Sequence, residues 1–589
     1  MIDMHHLKKE TGEEKLLLSR SNKLVGFPSF ASLCLPAACE ATEVQAAVKH
    51  LLKPYMINVS GSIHCDIADE ISWYYKMTHL TRKQIAAVTI ISSILIFVTI
   101  GTLIDVCILR NDISSHQQRS LVQEVSVRTV TRRLFYAKPF TFDLLVFDGL
   151  KIFIMIGAVM AHAFVCFDTP LSFATLSNIQ YFVDVASTYG TQGWLIDSGL
   201  QAFSFLSGLA LFLVVAPMIQ RNKNKFSYTS AIFDRYIRFL PPIIILTASE
   251  FIWPIMGSGP FYTRAANFTL HKCERNWFYN LFFINNYFID GIDVCGLHSF
   301  WSSIDMHLFL IGLLTMFVFS RSSCAGVTVS ILMIVLGNAK VTYDAYVKQT
   351  IPGLFSIDMD LDKSDEFFTA IYNKTTSYMP AYFVGILVAF ARSKGYLHLN
   401  LRGFWRNAAF LWITKETFHC ECAILSLYNV FRIIDRSQSW LIIALTRQIH
   451  IIGFVMVFLY CCSLKSLWEK KFRSHQSEEE KRTMIFSPFK ALCRLSLSLY
   501  VCNFLYIRYE FFTRRFVFPN SDIWNLHRMY SSTILVVIFA LLFHILLLGP
   551  VEAVREHLFR GNKTKPEKQG RRDTASEMRQ SQGSGRAQA

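Results

Sequence analysis

The chain has 589 residues, of which 52% are hydrophobic, 14% aromatic and only 17% charged, and its formal net charge is +16 at pH 7. With a mean hydropathy of +0.32, it is too apolar for an ordinary soluble enzyme of this size, and the composition is that of a polytopic membrane protein. The positive charge does not mark a nucleic-acid binder, because the basic residues gather in alternate loops, which is the positive-inside pattern.

Residues 1–84 are of mixed character and hold Cys34, Cys39 and Cys65 together with a sequon at Asn58. They read as a small extracellular or lumenal segment in which cysteines can pair. No apolar stretch there resembles a signal peptide, so either the first span translocates this segment or the chain start is incomplete. Residues 85–108 form that first span, and residues 109–143 form a cytosolic linker carrying Arg110, Arg119, Arg128, Arg132, Arg133 and Lys138.

Residues 144–549 read as one helical bundle. Counting the first span, about eleven stretches are apolar enough to cross ~30 Å of hydrocarbon. They lie near 85–107, 144–167, 194–219, 239–257, 300–320, 325–339, 376–391, 406–431, 439–463, 486–507 and 529–549. The fold expected is therefore an all-α polytopic membrane protein. After Pro550 the composition turns to Gly, Ser, Gln, Lys and Arg, which cannot bury a core, so 550–589 reads as a disordered cytosolic tail. The charge map puts the N-terminus outside and the C-terminus in the cytosol. It does not separate plasma membrane from endoplasmic reticulum, since no retention signal ends the chain.

Within the second span, LLVFDGLKIFIMIGAVMAHAFVCF, lie Lys151 and His162. Eleven helical steps return to within about 20° of the same face, roughly 16 Å further along. One helix thus carries a cation near one surface and a titratable imidazole deeper on the same stripe. An ionisable group inside a membrane span marks a functional site, and imidazole has the pKa range of a general base. The alternative is a packed, hydrogen-bonded histidine. For Lys151 the alternative is a pair with Asp148 three residues earlier.

Arg235 and Arg238 share a face at the cytosolic start of another span, where they either hold phosphates or simply anchor the helix. Asp305, a few residues into its span, is placed either to orient an imidazole or to pair with a Lys or Arg. Glu250 is a similar intramembrane acid. Cys273 and Cys295 fall in one outer loop and are best explained as a disulfide. Asn267 and Asn373 head sequons on the same side as Asn58; a fourth sequon, Asn562, falls in the tail and should stay unmodified. His419, Cys420 and Cys422 lack the spacing of a zinc site, and no metal is expected. There is neither a phosphate-cradling glycine loop nor a serine nucleophile elbow.

Eight strings, in order over roughly residues 26–560, resemble the nose-resistant-to-fluoxetine branch of the acyltransferase 3 family. They are CLPAAC (34–39), FDGLK leading to AHAF (147–164), LSG (206–208), RYIRFLPP (235–242), CERNWFYNLFFINNYF from Cys273, WSSIDMHLF (301–309) after Cys295, PAYFVG (380–385) and LCRLSLSLY (492–500). The resemblance implies a membrane acyltransferase preceded by one extra helix and an extracellular Cys-containing domain. It implies His162 as catalytic base, and Lys151, where the family has Arg, near the acyl-CoA.

The activity expected is transfer of an acyl group from acyl-CoA, a donor substrate rather than a bound cofactor, to a hydroxyl acceptor or lipid. Asp305 would assist His162, and Arg235 and Arg238 would join Lys151 at the donor. Several positions depart from the family: His307 for Gln, Tyr378 for Arg, Asn503 for His and Leu548 for Glu. These departures favour the alternative of a non-catalytic membrane protein that moves lipids or xenobiotics, as family members have been linked to such transport.

Overall fold

A computed structural model describes residues 2–4, 29–31, 73–107, 121–137, 142–165, 192–222, 226–258, 260–289, 293–350, 366–396, 407, 439–464, 485–513 and 521–560. Cys34, Cys39, Cys65, Asn58, the span expected at 406–431 apart from Asn407, and the His419–Cys422 cluster lie outside these residues.

The protein is an all-α polytopic membrane protein. Its helices are α1 Arg82–Cys107, α2 Phe142–Val165, α3 Gln192–Asn222, α4 Tyr228–Met256, α5 Pro260–Leu281, α6 Phe300–Arg321, α7 Ser323–Lys348, α8 Met379–Ser393, α9 Ser439–Ser463, α10 Ser496–Phe512, α11 Asp522–Phe543 and α12 Gly549–Arg560. Among the described residues, eight helices are long and apolar enough to cross a membrane, and α8 is a shorter apolar one. Helices dominate because hydrocarbon supplies no hydrogen bonds, so each spanning segment has to satisfy its own backbone. The strands are minute antiparallel pairs, Ile2–Met4 with Ser29–Ala31 and Tyr136–Ala137 with Ile485–Phe486.

α1 lies at the edge of the bundle, against α4. Its last turn is tied to the linker, where Asp105 accepts a hydrogen bond from Ser126 at 2.8 Å and Thr102 accepts from the Val127 N–H at 3.0 Å. The linker holds two short helices, Leu121–Val125 and Val127–Phe135, and α12 packs on the first of them. In the bundle, α2 is surrounded by α3, α10 and α11, while α3 runs along α8 and also meets α6. α7 turns Ile331, Leu332, Val335 and Leu336 outward, as a lipid-facing helix does.

Three elements differ from the sequence expectation, the first being the start of the expected disordered tail, where Gly549–Arg560 form helix α12. α4 begins at Tyr228, capped by Ser227, which accepts from the Ser230 N–H at 3.2 Å. Arg235 and Arg238 therefore sit inside the helix, about two to three turns from its start and just before the apolar stretch. Residues expected to be outer loop form α5, too polar for a hydropathy reading to register, and the Cys273–Cys295 disulfide fastens it to the turn that leads into α6.

α3 and α8 approach each other closely. A Cβ added at Gly208 would strike the Tyr382 carbonyl, and one added at Gly385 would strike that of Phe205. In lipid, where the hydrophobic effect does not drive helices together, such small-residue contacts let backbones approach and gain dispersion. Gly157 on α2 has open space instead. Gly208→Ala and Gly385→Ala are each expected to cost about 1–3 kcal/mol of stability through overpacking, while Gly157→Ala costs nothing; thermal unfolding in detergent separates the three.

Candidate functional site

His162 lies near the end of α2 that faces the disulfide, and its Nδ1 is 3.0 Å from Asn503 Oδ1 on α10. The carboxamide oxygen is an acceptor only, so the imidazole donates through Nδ1–H, and Nε2 keeps its lone pair. The Phe504 ring meets His162 edge-on at 6.0 Å between centroids. Asp305, expected to assist His162, does not take that place. It forms a salt bridge with Arg235, and the orienting group for His162 is the neutral Asn503. The cause is register: Asp305 on α6 faces α4, and α10 supplies the neighbour of α2.

A second imidazole stands nearby. His298, in the short turn Leu297–Ser299, packs against Tyr500 at 5.5 Å and also against Phe504, at 5.3 Å. The two histidines are within electrostatic reach of each other. The His298 backbone is fixed from several directions. Its carbonyl accepts from the Tyr500 hydroxyl at 2.6 Å. The next residue, Ser299, belongs to a buried chain in which Asn285 donates to Ser299 at 2.9 Å and to Asn280 at 2.8 Å, and Asn280 donates to the Cys295 carbonyl at 2.8 Å. His298 was not singled out from the sequence; a lone His in a loop beside a cysteine carries no periodic signal.

Glu250, read from the sequence as an unexplained acid, finds its partner in Arg508 of α10 at 2.6 Å. Glu250 is 0% exposed. The guanidinium is walled by Trp253 at 4.4 Å and Phe504 at 5.0 Å, and it also reaches Thr269 at 3.4 Å. Gly296, at φ +70°, lies so close that an added Cβ would be 3.1 Å from Glu250 Oε1. Only a residue without a side chain fits that left-handed position against the carboxylate.

At the opposite end of α2 are the basic residues. Asp148, the alternative partner of Lys151, is instead bridged by Lys490. Lys151 stands within electrostatic reach of Arg238, Asp148 and Asp305, and Arg238 is within reach of Glu552, Arg555 and Arg235. Arg235 differs from its two companions. It is paired with Asp305 and lies over the rings of Phe309 at 4.3 Å and Phe239 at 5.0 Å. His307 is held elsewhere, its Nδ1 3.1 Å from the Thr375 hydroxyl.

The Cys273–Cys295 disulfide is formed, and Asn267 is exposed on α5. Asn373 corrects the expectation of a third glycan site. It is 0% exposed, and the packing around it leaves no room for a sugar on its amide. Among the described residues no cluster of three or more His, Cys, Asp or Glu could hold a metal.

Compared with curated proteins, the chain is 20% identical over 447 residues to Nose resistant to fluoxetine protein 6 of Caenorhabditis elegans. The chain resembles the nose-resistant-to-fluoxetine proteins. The alignment takes in 69% of this chain and 53% of that protein, so the chain spans about half the length of the curated relative it matches. No family profile matches the chain, and no solved structure matches it.

The buried pair at Glu250 and Arg508 is expected to behave as a unit. Glu250→Ala or Arg508→Ala alone strands a desolvated charge and costs about 3–5 kcal/mol, whereas Glu250→Leu combined with Arg508→Met recovers most of that loss. A double-mutant cycle on unfolding in detergent measures the coupling.

Proposed function

We propose that this chain transfers an acyl group from acyl-CoA to a hydroxyl acceptor, with His162 as the general base. The observation that carries the reading is the hydrogen bond from His162 Nδ1 to Asn503, which points Nε2 as a proton acceptor within a buried, aromatic-walled site. In the step proposed, Nε2 takes the proton of the acceptor hydroxyl as its oxygen attacks the thioester carbonyl carbon. The C–O bond forms, the C–S bond breaks, and the proton passes from the imidazolium to the departing thiolate. Asn503 holds the ring in the productive tautomer.

Lys151 and Arg238 are the cations left to hold the donor's phosphates, and Arg555 of α12 joins them. Lys151 and His162 are eleven residues apart on one helix, about 16 Å by the helical rise, so a donor bound at the basic end has to extend along α2 to reach the base. The disulfide supports placing the His162 end toward an oxidising compartment, and the basic loops support placing Lys151 in the cytosol.

A second reading, a non-catalytic membrane protein that moves lipids or xenobiotics, is favoured by one observation. The partner of His162 is a carboxamide, which stabilises an imidazolium less than a carboxylate does.

His162→Ala is expected to lower acyl-CoA consumption by the purified protein by about 10²–10⁴-fold, and Asn503→Ala, which keeps the base but frees its ring, falls between the wild type and that variant. No turnover by the wild type across a broad panel of donors and acceptors would hand the case to transport. For orientation, glycosidase treatment is expected to sharpen the wild-type band and to leave less to remove from Asn267→Gln; Asn373→Gln changes nothing. A glycan found on Asn562 would invert the topology.

A further inference from the structure

We propose that this chain is itself fatty-acylated at the edge of the bundle, with long-chain acyl groups in thioester linkage on Cys107 and Cys324. The proposal does not rest on the transferase reading.

Free cysteine is among the residue types most often buried. Among the described residues, Cys493 and Cys502 follow that rule, Cys461 and Cys462 are half-buried, and Cys107 and Cys324 are exposed. The four that keep accessible surface all lie at helix ends. Cys107 is the last residue of α1, Cys324 is the second of α7, and Cys461 and Cys462 stand just before the end of α9. A basic residue is found three positions away toward the loop in each case: Arg110 after Cys107, Arg321 before Cys324 and Lys465 after Cys462. These are the loops that the positive-inside pattern assigns to the cytosol. Helix packing points to a shared depth independently of charge. Gln448 on α9 donates to Asn338 on α7 at 2.8 Å, and fourteen residues from each toward the basic ends, about 21 Å by the helical rise, bring Cys324 and Cys462 to one level.

What sets Cys107 and Cys324 apart from the α9 pair is the surface they continue. α1 and α7 are the least buried of the eight spanning helices. On α1, Ile96, Ile100 and Leu103 are exposed and precede Cys107 by eleven, seven and four residues, so all four share one face. α7 mirrors this, with the exposed Ile331 and Val335 following Cys324 by seven and eleven residues. Each thiol thus ends an apolar stripe turned toward lipid. Eleven residues measure about 16 Å, roughly the half of the hydrocarbon thickness that one leaflet's tails fill, so a chain attached at the thiol can lie along the stripe. Cys462, by contrast, packs against the core, and Phe458 and Ile451, four and eleven residues before it, are buried.

Cysteine beside a membrane span is a setting for S-acylation, and the chemistry is a thioester exchange. The cysteine thiolate attacks the carbonyl carbon of a long-chain acyl-CoA. The C–S bond to the cysteine forms, the C–S bond to coenzyme A breaks, and the proton of the cysteine thiol ends on the released coenzyme A. No oxidant or reductant is needed.

The test uses the full chain expressed in cultured eukaryotic cells. Free thiols are blocked with N-ethylmaleimide, thioesters are opened with neutral hydroxylamine, and the thiols released are tagged with a maleimide polymer that slows the band on a gel by one step per acyl group. The wild type is expected to show steps that depend on hydroxylamine. Cys107→Ser and Cys324→Ser each lose one step and the double variant loses both, whereas Cys461→Ser combined with Cys462→Ser keeps the ladder of the wild type. Mass spectrometry of the wild type, which needs no variant to fold, is expected to find a long-chain acyl group on the peptides holding Cys107 and Cys324. A wild type without hydroxylamine-dependent steps, a Cys107→Ser/Cys324→Ser double variant with an unchanged ladder, or a ladder lost with Cys461 and Cys462 instead overturns the proposal. A step lost from only one of the single variants strikes the other site.

Discussion

The buried ion pair of Glu250 and Arg508 is the interaction around which this end of the bundle is arranged. Removing two charges from water is costly, and the cost is offset only where geometry is good and the surroundings add further contacts. Here the guanidinium is bracketed by Trp253 and Phe504, and the pair clamps α4 to α10. Gly296 sits against the carboxylate, so the turn that carries His298 is positioned by the same charge. Asn503, Phe504 and Arg508 occupy little more than one turn of α10, and through them one helix sets the orientation of His162, an aromatic surface beside both histidines and the neutralisation of Glu250.

The two ends of α2 have opposite electrostatic characters. Toward the linker, Lys151, Arg238 and Arg555 gather near Glu552, while Asp148 is paired with Lys490 and Asp305 with Arg235. Toward the disulfide, Glu250 is paired with Arg508 and the His162 and His298 rings face Phe504. On the function proposed, the first end is the one suited to a donor carrying phosphates.

Parts of this were legible in the residues and parts were not. His162 and Lys151 stood out because an ionisable side chain in a long apolar run is costly wherever the run folds. The disulfide partners stood out because two cysteines shared one loop. Asp305 was noticed for the same reason as His162, but the sequence left it between orienting an imidazole and pairing with a Lys or Arg, because it does not say which helix lies opposite; the structure pairs it with Arg235. Asn503 registered only as a departure from a family pattern, although it is the residue that sets the tautomer of His162. α5 escaped notice because its apolar residues are interrupted by Arg264, His271, Lys272, Glu274 and Arg275, and Asn373 looked accessible because a sequon gives no information on burial.

Composition and local hydropathy by themselves determined that this chain crosses a membrane many times, approximately where it does so, and which face of α2 bears its ionisable groups. Those properties follow from the transfer energy of each short segment into hydrocarbon, which depends on that segment alone. Tertiary structure alone decided which polar groups meet. His162 and Asn503 are 341 residues apart in the chain, and Glu250 and Arg508 are 258 apart. Such partnerships depend on how helices pack side by side, in an apolar medium where a buried polar group is strongly destabilised unless another helix supplies its complement.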